Sequence, residues 1–298
     1  MQILMTGATG LIGSTLISHL LAQHHQITAL VRSPEKACRQ LPPAVQLISS
    51  LTQYTHLNQF DAVINLAGEP IFTRRWTREQ KRRLLESRIH LTRQLTTLIN
   101  NSTTPPHTFI SGSATGYYGD KGENIITEQT QPSQQFPSQL CQQWETEAVK
   151  AQTRVCILRT GIVLAQNGGA LSKMLPIYRL GLGGQLGNGK QYWAWIALED
   201  MIAGILFLLN HATCVGAFNF VSPHPIRNRE FNTLLGKYLK RPHFATVPAF
   251  ILNLLLGERA QLLLDSQKVV PTRLQAEGFI FQYPKLENAL QAILKQKS

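Results

Sequence analysis

Short apolar runs alternate with amphipathic helical patterns along most of the chain. Strands are predicted from Gln2 and at residues 26–31, 61–66, 108–110 and 154–158, and helices at residues 11–22, 138–152 and 200–210. Regular alternation of strand and helix is typical of a parallel sheet covered by helices on both faces. The pattern therefore predicts an α/β fold with a doubly wound, Rossmann-type sheet. Further helical periodicity at residues 231–239, 250–256 and 286–294 predicts a smaller, helical C-terminal lobe.

Three glycines follow the first predicted strand at GxxGxxG spacing. Gly7 would turn the chain, Gly10 would admit a pyrophosphate against bare backbone, and Gly13 would let helix and strand pack closely. The next helix would point its free N–H groups and its positive dipole end at the phosphates. Glycines alone can simply make a turn, but here a strand precedes them, and a helix and a second strand follow. The segment predicts a dinucleotide site, with further contacts from Thr9, Leu11 and Ile12.

The second predicted strand is followed by Arg32 and Ser33, where an NAD-binding protein usually has an acid for the adenine ribose. A guanidinium at this place would pair with a 2′-phosphate. The alternative is a solvated arginine at a strand end. We expect NADP to be the cofactor.

Composition narrows the class of protein. At 298 residues and 43% hydrophobic content, the chain can bury a large core. Its longest apolar stretches, residues 201–209 and 249–256, are much shorter than a membrane span. The four cysteines show no CxxC spacing, so we expect reduced thiols, no metal site, no membrane partner and a cytoplasmic location.

Basic residues are concentrated in residues 74–93, which contain eight Lys or Arg and two Glu within a formal net charge of +12 for the whole chain. Leucines and isoleucines at helical intervals give this segment an apolar face, so one interpretation is a solvated amphipathic helix. A second is that arginines, Arg88 in particular, face cofactor phosphates or an anionic substrate. A third is nucleic-acid binding, but we expect no nucleic-acid partner because no recognised motif or aromatic stacking set accompanies the charge.

Small and hydroxylated residues follow two predicted strands. Leu66, Ala67, Gly68 and Glu69 end one strand, and Ser113 lies in the run of residues 111–120 that ends the next. Ligands of open parallel sheets bind outside the carboxyl ends of the strands. We therefore expect these segments and the glycine turn to meet around one active site.

Seven motifs together resemble the extended short-chain dehydrogenases/reductases, specifically their atypical, epimerase-like branch with a small C-terminal domain of unknown function. They are TGATGLIG (6–13), NLAGEPI (65–71), SGSATGYYGD (111–120), RTGIVL (159–164), LGLGG (180–184), WI (195–196) and PTRLQAEGF (271–279). The resemblance implies a nicotinamide cofactor, with Ile162 among its contacts, and a substrate cleft beneath the C-terminal lobe. It also implies that Ser113 holds the substrate oxygen.

The resemblance further implies a discontinuous arrangement of two domains. Residues 1–165 would form the NADP-binding Rossmann domain, with residues 192–222 returning to it. Residues 166–191 and 223–298 would form the substrate lobe.

One departure from the superfamily concerns its proton donor, a Tyr-x-x-x-Lys pair on the helix after the serine strand. That helix reads FPSQLCQQWETEA here and has neither residue. The string from Tyr117 to Lys121 has the right spacing, but Gly119 and Asp120 are poor helix-interior residues, so we interpret the match as accidental. Tyr117 or Tyr118 is instead a candidate replacement acid, with its pKa lowered by a nearby cation. Packing or stacking on substrate is the alternative.

The sequence thus predicts an NADP-dependent oxidoreductase or epimerase-like enzyme. It would act on a hydroxyl- or carbonyl-bearing carbon of an anionic small molecule, with nucleotide sugars as candidates. The rival hypothesis is a catalytically silent NADP-binding sensor or scaffold, for which the missing Tyr/Lys pair is the main argument. The sequence is also compatible with a homo-oligomer.

Overall fold

The computed structural model describes residues 1–295, so the last three residues of the predicted substrate lobe lie outside it. The strands are β1 (Gln2–Thr6), β2 (Gln26–Leu30), β3 (Gln46–Ile48), β4 (Ala62–Asn65), β5 (Thr108–Ala114), β6 (Ile125–Ile126), β7 (Arg154–Thr160), β8 (Ile162–Ala165), β9 (Gly184–Leu186), β10 (Tyr192–Trp193), β11 (Trp195–Ala197), β12 (Gly216–Phe220), β13 (Ile226–Arg227), β14 (Ala245–Val247) and β15 (Lys268–Val269). The α-helices are α1 (Leu11–Ala22), α2 (Pro34–Ala37), α3 (Arg78–Asn100), α4 (Phe136–Ala148), α5 (Gly169–Arg179), α6 (Leu198–Asn210), α7 (Asn228–Leu239), α8 (Ala249–Leu256), α9 (Gln261–Leu264), α10 (Thr272–Ala276) and α11 (Leu286–Lys295).

Seven parallel strands form the main sheet in the order β12-β7-β5-β4-β1-β2-β3. The chain runs outward in one direction from β1 to β3, and in the other direction from β4 to β12. The order therefore reverses between β1 and β4, which is where open α/β sheets bind their ligands. The predicted Rossmann-type α/β fold is confirmed.

The sheet is apolar on both faces because helices cover both. Ile3 and Met5 of β1 pack into the core cluster that includes Leu16 of α1 and Ile205 of α6. Leu4, between them in sequence, packs into the opposite cluster with helix α3. Successive strand residues point to opposite faces, so a strand buried on both sides has a continuous apolar run.

Strand β5 is longer than the predicted strand at residues 108–110. It continues to Ala114 because its last residues keep parallel pairing with β7, with Ser113 opposite Arg159. The hydroxyl-rich run of residues 111–120, predicted to follow the strand, is therefore itself strand as far as Ala114. This extension places Ser113 at the carboxyl edge of the sheet in a defined orientation.

Outside the main sheet, the described residues form four two-stranded sheets and a helical cluster. The strand pairs are β10 with β13, β11 with β8, β14 with β9, and β15 with β6. Trp193, Trp195 and Phe231 are buried in the cluster formed with α5, α7 and α11. Of the segment expected to return to the dinucleotide sheet, β12 lies beside β7 in that sheet, whereas β10 and β11 pair outside it.

Among residues 1–295, no helix is both long and apolar enough to cross a membrane. Within the same residues, no group of three or more His, Cys, Asp or Glu side chains could hold a metal ion. All four cysteines are free, and Cys38 alone among them is exposed.

Candidate active site

The turn between β1 and α1 has the geometry that a bound diphosphate requires. Gly7 has a φ of +73°, and a Cβ atom there would lie 2.6 Å from the carbonyl carbon of Leu66. A Cβ atom at Gly13 would collide with the carbonyl oxygen of Gly7. Helix α1 starts after Gly10, which is exposed, and no side chain caps its first N–H groups. An anion can therefore approach bare backbone at this helix terminus.

The predicted cofactor residues of other segments lie around this turn. Leu66 and Ala67 directly follow β4, and the Ala67 N–H donates to Thr6 Oγ1 at 3.2 Å. The Leu11 side chain lies close to Gly168, since a Cβ atom added at Gly168 would be 2.8 Å from Leu11 Cδ1. Residues 162–169, which begin with Ile162 of β8, thus reach the start of α1. The switch point, the end of β4 and the segment after β8 therefore lie next to one another at the carboxyl edge of the sheet, and we call this region the candidate cleft.

Arg32 and Ser33 follow β2, the strand that pairs with β1 and ends beside the glycine turn. Arg32 is exposed and forms no ion pair with any residue in the described part of the chain. Ser33 is the N-cap of α2, and its side chain makes no capping bond. Both side chains are free to contact a phosphate carried by a ligand in the cleft.

Arg88 is a partly buried cation at the end of β4. Its guanidinium donates to the carbonyl oxygens of Glu69 and Leu84 at 2.9 and 3.1 Å. A Cβ atom at Gly68 would lie 2.8 Å from Arg88 Cζ, so the absence of a side chain at Gly68 makes room for the guanidinium. Burial lowers the pKa of Arg88, and among residues 1–295 the guanidinium has no ion-pair partner. A cation held by neutral carbonyls would be stabilised by an incoming anion.

Ser113 belongs to a buried network that crosses from β5 to α4 and β7. Its Oγ donates to Glu145 Oε1 at 2.6 Å. Arg159 donates to both carboxylate oxygens of Glu145, at 2.9 and 2.8 Å. The three side chains are buried, with 5–8% of each residue exposed. Burial acts to lower the pKa of Arg159, but the bonds to Glu145 outweigh it and raise the pKa above its usual value.

These bonds fix what Ser113 can do. Because its hydroxyl hydrogen is directed to Glu145, its oxygen presents lone pairs to any ligand that reaches the end of β5. A substrate hydroxyl would therefore donate to Ser113, and Ser113 would donate in turn to Glu145. The two side chains thus form a continuous chain of hydrogen bonds from a bound alcohol to the carboxylate, once such a ligand is present.

Glu145 was missed by the sequence prediction. On α4 it shares the buried face with Leu140, Cys141, Trp144 and Ala148. An acid on the apolar face of an amphipathic helix is the signal that could have identified it, since an unpaired charge is rarely buried. Helix α4 packs closely on β5 at this point. A Cβ atom at Gly112 would lie only 2.8 Å from the Trp144 ring, so a larger residue would not fit there.

Tyr118 does not have the property expected of a replacement acid. It is fully buried, its hydroxyl donates to Asn219 Oδ1 at 2.6 Å, and it accepts from Arg159 at 3.0 Å. Burial raises the pKa of Tyr118, and the effect exceeds the opposing effect of Arg159. The predicted lowering of its pKa is wrong, because desolvation outweighs the neighbouring cation.

Tyr117, unlike Tyr118, is partly exposed. Its ring centroid is 3.6 Å from the guanidinium carbon of Arg159. Its phenol oxygen makes no hydrogen bond with the described residues. Its role as a proton donor stays a prediction. The Tyr-x-x-x-Lys string is not helical, since Gly119 has a φ of +66° and the short 3-10 turn ends at Tyr117.

Asp265 lies where the second lobe meets the loop after Tyr118. Burial, together with the neighbouring Asp120 carboxylate, raises the pKa of Asp265 to about 6, while Gln135 acts in the opposite direction. Ser266, the next residue, donates its N–H to Asp120 at 3.1 Å and its hydroxyl to the Gly122 carbonyl. The contact between the lobes therefore includes two carboxylates that repel when both are ionised.

Asp265→Asn is expected to stabilise the protein at neutral pH but not in acid. The folded-state pKa is above the unfolded value of 3.8, so the folded chain binds the proton more tightly. The stabilising contribution of the protonated Asp265 carboxyl group is fully present below pH 4 and is lost as the pH rises through about 6. After allowance for partial exposure, the variant should gain about 1–2 kcal/mol at pH 7.5. Urea unfolding at pH 4 and pH 7.5 tests this, with the exposed Glu287→Gln as control; an equal gain at both pH values contradicts it.

Comparison with protein families and curated proteins places the chain among known sequences. The profile of the NAD-dependent epimerase/dehydratase family matches residues 3–220, and a domain of unknown function, DUF1731, matches residues 247–293. A chloroplastic epimerase family protein of Arabidopsis thaliana, described as an SDR39U1 homologue, is 37% identical over 99% of this chain and 87% of its own. An epimerase family protein of Mycobacterium leprae is 36% identical over 96% of this chain and 93% of its own.

Solved structures extend the comparison. The human epimerase family protein SDR39U1, crystallised with NADPH, is 32% identical, has a TM-score of 0.91, and is covered over 100% of both chains. The UDP-glucuronic acid 4-epimerase of Bacillus cereus, in complex with UDP-glucuronic acid and NAD, has a TM-score of 0.76 at 19% identity, over 98% of both chains. The second likeness shows a common fold alone.

Proposed function

This chain belongs to the NAD-dependent epimerase/dehydratase family, and we propose that it is an NADPH-dependent oxidoreductase or epimerase-like enzyme acting on an anionic small molecule. The observation that carries the proposal is the buried Ser113–Glu145–Arg159 network at the carboxyl edge of the sheet, on the second strand from β1 and its glycine turn. It supplies a proton route in a fold that receives a dinucleotide.

The residues of the cleft fit the cofactor. The diphosphate would lie against the Gly7–Gly13 turn and the first N–H groups of α1. Arg32 and Ser33 would meet the 2′-phosphate that distinguishes NADPH from NADH. The NADPH-bound human relative supports this choice, since it is similar to the present chain over its full length.

The cofactor, when bound, supplies or accepts a hydride at its nicotinamide ring. During oxidation of a substrate alcohol, the hydroxyl proton would pass to Ser113 Oγ while the proton of Ser113 passes to Glu145. The carbon–hydrogen bond is broken as hydride, and a carbonyl group forms. Arg159 stabilises the Glu145 carboxylate, which is the proton acceptor, and reduction is the reverse of these transfers. This route requires neither tyrosine nor lysine on α4.

An anionic substrate is favoured by Arg88, which lies at the end of β4 and has only neutral hydrogen-bond acceptors. Nucleotide sugars are the first candidates, because they join a negatively charged diphosphate to a carbon that bears a hydroxyl group. A cytoplasmic location is proposed from the four free cysteines, which suit a reducing compartment.

Arg32→Ala is expected to weaken NADPH binding by about 1.5–3 kcal/mol and to leave NADH binding nearly unchanged. A hydrogen-bonded charge pair to the 2′-phosphate is lost, and NADH lacks that phosphate. Calorimetric titration of the wild type and the variant with both coenzymes measures the difference. Arg39→Ala, which removes an exposed arginine just beyond α2, is the matched control. Equal losses for the two coenzymes would contradict the role of Arg32.

Turnover is tested by following nicotinamide absorbance with NADPH against carbonyl compounds and NADP⁺ against nucleotide sugars. A Ser113-dependent change with any member supports the enzyme. Tight cofactor binding without turnover of any member would favour the sensor hypothesis. If folded protein binds neither coenzyme, the proposal itself is wrong.

A further inference from the structure

One end of the second lobe combines exposed apolar side chains with basic ones. Leu180, Leu182 and Phe244 expose 75%, 64% and 87% of their surface. Large apolar side chains this exposed, when they lie together, mark an interaction surface more often than chance.

Backbone pairing brings the three side chains to the same end of the lobe. Strands β9 and β14 are parallel, with Gly184 opposite Ala245, so the residues just before each strand lie side by side. The Ala245 N–H donates to the Gly183 carbonyl at 3.3 Å. A Cβ atom at Gly181 would lie 3.6 Å from Pro242. The loop before β9 and the loop before β14 are therefore also close to each other further from the strands.

Basic residues flank these loops in sequence. Arg179 directly precedes Leu180, and Lys240 and Arg241 precede Phe244 by four and three residues. All three are exposed, and in the described part of the chain none forms an ion pair. We call Arg179, Leu180, Leu182, Lys240, Arg241 and Phe244 the basic apolar tip.

Acidic residues are absent from the sequence on both sides of the tip. Residues 166–198 and 231–257 contain six Lys or Arg and no Asp or Glu, although the chain has 17 acids in all. The two segments contribute β9, β14, α5 and most of α7, so much of the outer lobe is free of negative charge. Its charge is complementary to a negatively charged partner.

We propose that the basic apolar tip docks this protein onto membrane surfaces that carry anionic phospholipids. Apolar side chains would enter the interface while Arg179, Lys240 and Arg241 meet the phosphate groups. A nucleic acid would use the cations but has no use for exposed leucine and phenylalanine side chains. The sequence predicts no membrane partner because its apolar stretches are too short to cross a bilayer. Docking of a folded protein on the membrane surface does not require such a stretch. The proposal does not depend on the chemistry of the cleft.

Flotation of the full chain with lipid vesicles tests the proposal. Vesicles of 30% phosphatidylglycerol in phosphatidylcholine should carry a large fraction of the protein at low salt and less at high salt, whereas pure phosphatidylcholine should carry little. Leu182→Ser/Phe244→Ser and Lys240→Glu/Arg241→Glu should each reduce partitioning by about tenfold or more.

Matched controls separate the tip from general electrostatics. Ile280→Ser removes a side chain as exposed as Phe244, and Arg82→Glu/Arg83→Glu changes the net charge as much as the tip variant does. Both should bind vesicles like the wild type, and circular dichroism should show all variants folded. Absence of binding, or equal losses in tip and control variants, would overturn the proposal.

Capture by immobilised polyglutamate in place of vesicles would assign the tip to an acidic protein. A shift from dimer to monomer in the tip variants, without vesicle binding, would assign it to a second copy.

Discussion

Arg159→Met is expected to destabilise the folded protein by about 3–5 kcal/mol, the cost of leaving one buried charge without its partner. Glu145 is buried and accepts both of its ion-pair bonds from Arg159. Methionine has a similar length but donates no hydrogen bond, so the buried Glu145 side chain would be left without its partner of opposite charge. Tyr118 and the Glu128 carbonyl would lose a donor as well. Urea unfolding at pH 7 measures the change in the free energy of unfolding.

Two variants make this expectation specific. Arg93→Met breaks an ion pair to Glu147, on the same helix as Glu145, but the Arg93 side chain is 57% exposed. Its effect should be at most about 1 kcal/mol, because solvent screens exposed pairs. Arg159→Met/Glu145→Leu removes both charges and should recover part of the lost stability. If Arg159→Met costs no more than Arg93→Met, the network is not stabilised in the way its geometry indicates.

The parts of the fold that sequence predicted are those set by local chemistry. The Gly7–Gly13 turn needs residues without side chains, since a Cβ atom at either end would meet backbone atoms. Strands β1 and β4 are short apolar runs because both of their faces are buried. Such requirements leave a signature within ten residues of sequence, and the family profile matches the same segment.

The Ser113–Glu145–Arg159 network could not be predicted in the same way. Glu145 and Glu147 both occur in WETEA and both are buried, and sequence alone does not tell which of them contacts Ser113. The packing of α4 on β5 directs Glu145 to Ser113, while Glu147 pairs with Arg93 and Lys150, whose side chains are largely exposed. Arg159 becomes its partner through the register of β7 against β5. The burial of Tyr118 depends on the same tertiary contacts, so its pKa could not be predicted from the neighbouring residues in sequence.

Stability and chemistry make different demands on this network, and the difference can be measured. A purely structural network would need the Glu145–Arg159 pair but not the hydroxyl of Ser113. In that case, Ser113→Ala would have little effect on turnover. A proton route needs the hydroxyl and the carboxylate together. The bond between Ser113 Oγ and Glu145 Oε1, at 2.6 Å, is short enough for direct proton transfer.

Ser113→Ala is expected to lower kcat by about 10²–10⁴, the range typical of a lost proton-transfer group, with NADPH affinity unchanged. Glu145→Gln should lower kcat by a similar factor, because the carboxamide can still accept a hydrogen bond but does not take up the proton. Steady-state kinetics on a substrate found in the nicotinamide screen, from pH 5 to 9, measure both effects.

Glu147→Gln is the matched control, since it removes a carboxylate two residues away on the same helix and should leave kcat and the pH profile unchanged. Glu145→Asp keeps the charge and should restore part of the rate, which a loss of stability alone would not explain. Thermal unfolding and NADPH titration of each variant separate misfolding from lost chemistry. If Ser113→Ala keeps the wild-type rate while Glu145→Gln merely unfolds more easily, the network stabilises the fold and the proton must come from another group, of which Tyr117 is the candidate that faces Arg159.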